Sequence, residues 1–301
     1  MSGRDPGRER MAAELAATGD YRILRRMGSL EAEPAAPGTR VLQGLALDVE
    51  TTGFDQGRDR IIQFSAIPFD YSPETGAVHR VGQVWSGFED PGRPIPAEVV
   101  ALTGITDEMV KGQRLDDAGV SALAASSALV IAHNAGFDRP FVERRFPAYR
   151  DKAWACSVYD VDWKKWAGYP SSALPVLAAW HCEAFYDAHR ADEDCLAMLH
   201  VLAKPFADGI RPMARLLESA RKATIRIYAT DAPFDKKDLL KTRRYRWSNG
   251  EDGRKKAWWC EVSEDQVEAE YAWLAEQVYG GVRDRWKSEK TTAKERYRAA
   301  P

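Results

Sequence analysis

Cysteine is scarce in this 301-residue sequence, and the four present (Cys156, Cys182, Cys195 and Cys260) show neither CxxC nor zinc-like spacing. That excludes a disulfide-built scaffold and a thiolate metal site, and leaves free thiols in a reducing cytoplasm as the simplest reading. A long hydrophobic run is also missing. The most apolar stretch, SALAASSALVIA (121–132), is too short and too serine-rich to span a bilayer. The N-terminus, MSGRDPGRER, is charged with no apolar segment behind it, so no secretory signal is expected and no membrane partner. There is no internal repeat and no low-complexity tract. What remains, 45% hydrophobic and 29% charged, is the composition of an ordinary globular chain long enough for one large or two smaller domains.

The net charge of −2 conceals an asymmetry. Residues 209–301 hold 21 Lys and Arg against 15 Asp and Glu, which leaves 22 against 30 in residues 1–208. An acidic body with a basic C-terminal part suits a body that holds metal ions and an extension that holds a polyanion; two solvated faces of opposite sign fit the charge equally well.

Residues 8–19 read as a short helix and 31–38 as a linker, giving an N-terminal helix and linker over 1–40. Three strands follow, at 41–49, 60–71 and 79–88, joined by turn-like segments into an antiparallel meander. From 97 the pattern alternates: helices at 97–104 and 116–128, a compact strand at 128–134, then helical spacing at 139–146, 172–182 and 191–203. Meander followed by alternation predicts an α/β fold with a mixed sheet over 41–205. Beyond it the pattern predicts a small basic α+β module over 206–280, with a hairpin turning at Asn249-Gly250 and a Ser263/Gln266 capping box. A charged tail, frayed helix or disordered, is expected over 281–301.

The strand LALDVETTG (45–53) ends in two carboxylates, Asp48 and Glu50. A lone buried charge is costly and tends to neutralise, so such a pair needs a counter-charge. Two more acidic motifs stand in comparable settings. In IAHNAGFDRPF, Asp138 opens a helix after a strand; in DAHRADEDC, His189 precedes Asp194 by five residues in a helical stretch. Four carboxylates and a histidine at the ends of core elements suit hard divalent cations, Mg²⁺ or Mn²⁺, with an imidazole to take a proton. Singly, each motif has a plainer reading: a surface turn, a satisfied structural histidine at His133, or a solvated helix face at Asp192 and Glu193.

Together and in this order they carry a resemblance. LALDVETTGF, HNAGFDRPF and HRADEDC resemble the three motifs of the histidine-bearing (DEDDh) branch of the DEDD 3′–5′ exonucleases, the family of the proofreading epsilon subunit of bacterial DNA polymerase III. RDRIIQFSAI and PGRPIPAEVVALTGITDEMV resemble its intervening segments. The resemblance implies a ribonuclease-H-like domain with a five-stranded mixed sheet. It implies that Asp48, Glu50, Asp138 and Asp194 bind two metal ions and that His189 is the general base. Thr51, Thr52 and Gly53, with His133, Asn134 and Phe137, would line the substrate cleft.

The implied reaction is hydrolysis of phosphodiester bonds from the 3′ end of DNA, single-stranded or frayed, releasing nucleoside 5′-monophosphates, with a polymerase or repair partner conceivable. RNA as substrate, or a non-catalytic nucleic-acid-binding or polymerase-tethering subunit, are the alternatives. In the C-terminal module, cations interleave with aromatics, which suits either nucleic acid or a small core covered by Lys and Arg. Lys241, Arg244, Arg246, Trp247, Lys255 and Trp258 are the candidate contacts there.

Overall fold

The computed structural model describes residues 5–250 and 255–298. An N-terminal helix α1 (Pro6–Ala17) begins at an Asp5 cap whose side chain accepts from the Arg8 N–H. The chain then lies along the body, with Met27, Leu30 and Ala32 packed on its core.

The body is built on strand β1 (Leu42–Thr51). It pairs antiparallel with β2 (Ile61–Tyr71) on one side and parallel with β5 (Leu129–Ala132) on the other, and β5 pairs parallel with β6 (Trp154–Cys156). The sheet is mixed, as the meander-then-alternation pattern predicts. Its strand number departs from the five expected. Among the described residues there are six, because the third strand of the meander breaks into β3 (Val78–Val81) and β4 (Trp85–Phe88), both along the same edge of β2. The break sits where Gly82 donates to the Pro68 carbonyl at 2.7 Å. A side chain at Gly82 would lie 2.8 Å from that oxygen, so the approach needs glycine.

Alternation along β1 sorts its side chains. Leu45, Leu47 and Val49 join the core under helices α2 (Asp117–Ser126) and α3 (Ala135–Arg145). Ala46 points to the opposite face, where helices α4 (Leu174–His181), α5 (Ala191–Ala203) and α6 (Pro212–Arg221) pack. Asp48 and Glu50 continue that second row, beyond the point where apolar packing ends. Helix α6 corrects the expected boundary at 206. Met213, Leu216, Leu217 and Ala220 form an apolar stripe buried in the body's core, so this helix belongs to the body.

The C-terminal sheet is antiparallel, ordered β8 (Arg246–Ser248), β9 (Ala257–Ser263), β7 (Thr224–Ala229), β10 (Lys287–Thr291). Ile227, Ala229 and Cys260 pack one face against Leu240 of α7 (Lys237–Thr242), Tyr245, and Leu274 and Val278 after α8 (Val267–Trp273). Three expectations are corrected here. The β8–β9 hairpin does not turn on Asn249-Gly250 alone: the pairing closes at Ser248 with Ala257, and 251–254, including Arg254, lie outside the described residues. Ser263 makes no capping hydrogen bond to the helix; its hydroxyl engages Asp265, and a 3₁₀ turn precedes α8. The segment expected as a charged tail supplies β10, and Arg296 and Tyr297 behind it fold onto the body, where both bond Asp160.

Candidate active site

The loop after β1 is tightly determined. Thr51 Oγ1 donates to the Gly53 carbonyl at 2.6 Å, and Thr52 Oγ1 donates to Asp59 Oδ1 at 2.9 Å. Asp59 also accepts from the Asp55 N–H at 2.8 Å and from Arg93 at 2.5 Å. Gly53 passes so close that a Cβ there would lie 2.6 Å from the Asp59 carboxylate. Arg144 of α3 donates to the carbonyls of Gln56 and Asp59, tying the loop to the helix that carries Asp138. Thr51 and Thr52 are therefore buried with their hydroxyls engaged in the turn, and the Thr52 N–H donates to the Arg60 carbonyl at 2.9 Å.

On this frame, oxygens of Asp48, Glu50 and Asp194 come within 4.8 Å of one another. Asp138 stands beside that group rather than in it. It is 1% exposed, and its Oδ1 accepts from the Val49 N–H at 3.1 Å, which fastens α3 to β1. Tyr186 donates to Asp194 Oδ1 at 2.8 Å. Among the described residues no Lys or Arg pairs with these four carboxylates.

The electrostatic result is acute. Burial and the neighbouring Asp194 and Asp138 charges push Glu50 up to about 8. Burial pushes Asp138 up to about 8 even against the Val49 N–H bond, and Asp48 is driven well above the carboxylate range by burial and its three acidic neighbours. Asp194 is also raised by burial, held back by the Tyr186 hydroxyl and by His189. An oxygen-only donor set, crowded and with no paired Lys or Arg among the described residues, fits a hard divalent cation. His189 lies exposed on the loop before α5, in the left-handed region at φ 66°, within electrostatic reach of Asp194.

A family model described as Exonuclease (RNase_T) matches residues 45–202, just over half of the chain and all three motifs. The chain belongs to this exonuclease family. Among curated relatives of this exonuclease-family chain, the DNA polymerase III subunit epsilon of Treponema pallidum is 27% identical over 188 residues, 60% of this chain and 84% of that protein. A DNA polymerase III subunit epsilon-like protein of Rhodobacter capsulatus is 34% identical over 136 residues, 42% of this chain and 17% of the relative. The PolC-type DNA polymerase III of Listeria welshimeri is 35% identical over 104 residues, and the match spans only 6% of its length. Among solved structures, the zinc-bound E. coli ExoI–ssDNA complex shares the fold at a TM-score of 0.50 and 17% identity, covering 74% of this chain and 63% of that one.

The other predicted positions of this exonuclease-family chain fall into two groups. His133 is neutral, pushed down to about 4 by burial, with Nδ1 at 2.7 Å from the Ser157 hydroxyl. Asn134 is exposed in a left-handed turn that opens α3, and Phe137 lies between Phe141 and Phe54. Asn134 and Phe137 border a cleft of about 1670 Å³ that runs from the β1 loop to the C-terminal sheet. Arg244, Arg246 and Trp247 line its far wall. Lys241, Lys255 and Trp258 do not: Lys241 faces Asp238 at 3.7 Å, Lys255 covers the Tyr228 ring, and Trp258 packs on the module's core.

Four residues escaped the sequence reading. Tyr186, Asp59 and Arg93 are ordinary polar positions whose partners are revealed only by folding. Phe54 stood in the first motif, but only the structure shows its ring 86% exposed beside Phe137.

Proposed function

We propose that the protein is a metal-dependent 3′–5′ exonuclease that acts on DNA and releases nucleoside 5′-monophosphates. The observation that carries this is the gathering of Asp48, Glu50 and Asp194 within 4.8 Å, with Asp138 beside them and no Lys or Arg among the described residues paired with them. Bound there, two Mg²⁺ or Mn²⁺ ions would supply charge stabilisation to both the attacking and the leaving oxygen of a phosphodiester displacement.

The chain's own contributions follow from position. His189, exposed next to Asp194, takes the proton from the attacking water at its imidazole. Tyr186 keeps Asp194 oriented and favours its ionised form. The rigid turn at Thr51–Gly53 fixes the wall against which the terminal nucleotide lies, and the exposed Phe54 ring offers it a stacking surface. The family membership and the polymerase epsilon names of the relatives support the DNA assignment.

The test is a time course on 5′-labelled single-stranded DNA and RNA of one sequence, with Mn²⁺ or with EDTA. A metal-dependent ladder shortening from the 3′ end, faster on DNA, is expected. A faster RNA ladder would reassign the substrate, and no cleavage of either would overturn the reading.

A further inference from the structure

The cleft between body and C-terminal sheet has two chemically matched walls. On the body side stand Phe54, Phe137 and Tyr159, of which Phe54 is 86% and Tyr159 62% exposed. Large rings left in solvent along one groove are unusual enough to mark a contact surface. On the other side is the face of the C-terminal sheet turned away from the module's core. The register places Arg246, Trp259 and Tyr228 side by side across β8, β9 and β7 on that face, because Ile227 and Cys260 point the other way into the core. The Trp259 ring is flanked by the guanidinium groups of Arg226 and Arg246, at 5.4 and 5.3 Å from its centre.

The cations of this wall do not all have the same standing. Arg226 is held by Glu261 at 2.5 Å and Glu289 at 3.5 Å, and Arg243 by Glu270 at 3.0 Å. Arg244 and Arg246 pair with no acidic side chain among the described residues, and both are exposed. Arg244 is held outward by a left-handed turn, φ 69°, just after α7. Unbalanced guanidinium groups opposite exposed rings call for a ligand with phosphates on one edge and flat unpaired bases on the other. The cleft's near end, at Asn134 and Phe137, abuts the helix that carries Asp138.

We propose that this cleft is a second binding site, a track that holds the single-stranded segment upstream of the end being cleaved. Its phosphates lie on Arg244 and Arg246 and its bases against Phe137 and Tyr159. The C-terminal sheet thereby becomes the element that sets how much strand the enzyme grips. This inference rests on the nuclease reading for what stands at the cleft's mouth. A track of this kind makes affinity depend on substrate length, up to a site on the order of 4–8 nucleotides.

The experiment uses the full chain with Mn²⁺ and three probes: p-nitrophenyl thymidine 5′-monophosphate, single-stranded oligodeoxynucleotides of about 3 and about 15 residues, and a blunt duplex of the longer one. The variant is Arg244→Asn with Arg246→Gln; asparagine tolerates the left-handed turn, and a thermal melt confirms folding. The unaltered protein is expected to hydrolyse the small ester and to show a KM at least about 10-fold lower for the longer strand. The variant is expected to lose most of that gain, and the slope of log binding constant against log salt is expected to flatten by about 1.4, two phosphate contacts' worth. Ester hydrolysis with a KM equal for the two lengths, or a variant that keeps the full gain, overturns the track. A KM gain on the duplex equal to that on the single strand overturns the choice of occupant. If the ester and all strands resist hydrolysis, the nuclease reading fails. Fluorescence anisotropy of the longer strand in EDTA then judges the track alone: tighter binding to the unaltered protein supports it, and equal binding refutes it.

Discussion

Arg139 is the residue whose replacement separates the roles of body and C-terminal segment. It follows Asp138 on α3, and its side chain is fully buried. Its Nε donates to Glu143 at 2.6 Å, and its two terminal nitrogens donate to the carbonyls of Arg296 and Lys294, each at 2.5 Å, with longer bonds to Ala293 and Arg150. Burial pushes its pKa down to about 10, so it is still a cation at neutral pH. The Trp154 N–H donates to the Ala293 carbonyl, so the same strap also lies against β6. Arg139→Met keeps the apolar stem but leaves Glu143 without its nearer cation and strands two or three buried carbonyls.

Breaking a buried ion pair costs about 3–5 kcal/mol, and hydrogen bonds to charged groups contribute about 1.5–3 kcal/mol each without adding fully. A net loss of roughly 4 kcal/mol is expected, a fall in Tm on the order of 10 °C. Arg139→Lys restores the charge but not the planar fork and recovers only part of it. Circular dichroism melts of both variants, and of a chain ending at Thr291, make the measurement. A fall in Tm below about 2 °C for Arg139→Met would refute the bracing role. By the same geometry, a chain lacking 209–301 would lose α6 and the segment bonded to Arg139 from the body along with the C-terminal sheet, so such a truncation would unfold the body rather than isolate the sheet's contribution. The point substitutions in the cleft avoid that.

Three further outcomes follow from the carboxylate cluster. Glu50 and Asp138, at about 8 in the folded protein, ionise near 4 when unfolded, so the native state binds more protons between about pH 4 and 8. Metal-free stability therefore climbs as pH falls through that window, and the Tm gain from Mn²⁺ should be larger at pH 8 than at pH 5.5; melts in EDTA and in Mn²⁺ at both values check the sign. His189→Ala should lower kcat by ~10²–10⁴-fold while metal affinity holds, and an unchanged kcat would remove it from proton transfer. Tyr186→Phe deletes the bond that favours ionised Asp194, so metal affinity at neutral pH should drop by ~10–100-fold, recovering in part as pH is raised; equal affinity at all pH values would make the hydroxyl incidental.

Local patterns carried much of this structure in advance. The carboxylates at the end of β1, the strand LVIA and the helix bounds Ala191–Ala203 all rest on neighbours within a few residues, where periodicity speaks directly. Long-range pairings were silent. The split of β3 from β4 depends on Gly82 crossing Pro68, and β10 is a run of mostly polar residues that becomes a strand because β7 has an open edge. Arg296 and Tyr297 look like solvated tail residues until Asp160, more than 130 positions earlier, supplies their partner. Helix α6 was assigned to the wrong unit because composition shifts near Pro205 while packing does not. At the site, the acidic ligand candidates were visible by type, whereas Tyr186, Asp59 and Arg93 act through contacts that no spacing encodes.

The central claim is that the crowded carboxylates form a divalent-cation centre, and calorimetric titration of Mn²⁺ at pH 7 tests it most directly. Glu50 and Asp138 are largely protonated there without metal, so the account predicts saturable binding with proton release, seen as heats that change with the buffer's ionisation enthalpy. It also predicts that Asp48→Asn abolishes that binding. Buffer-independent heats, or an Asp48→Asn protein that takes up Mn²⁺ as the unaltered one does, would contradict it.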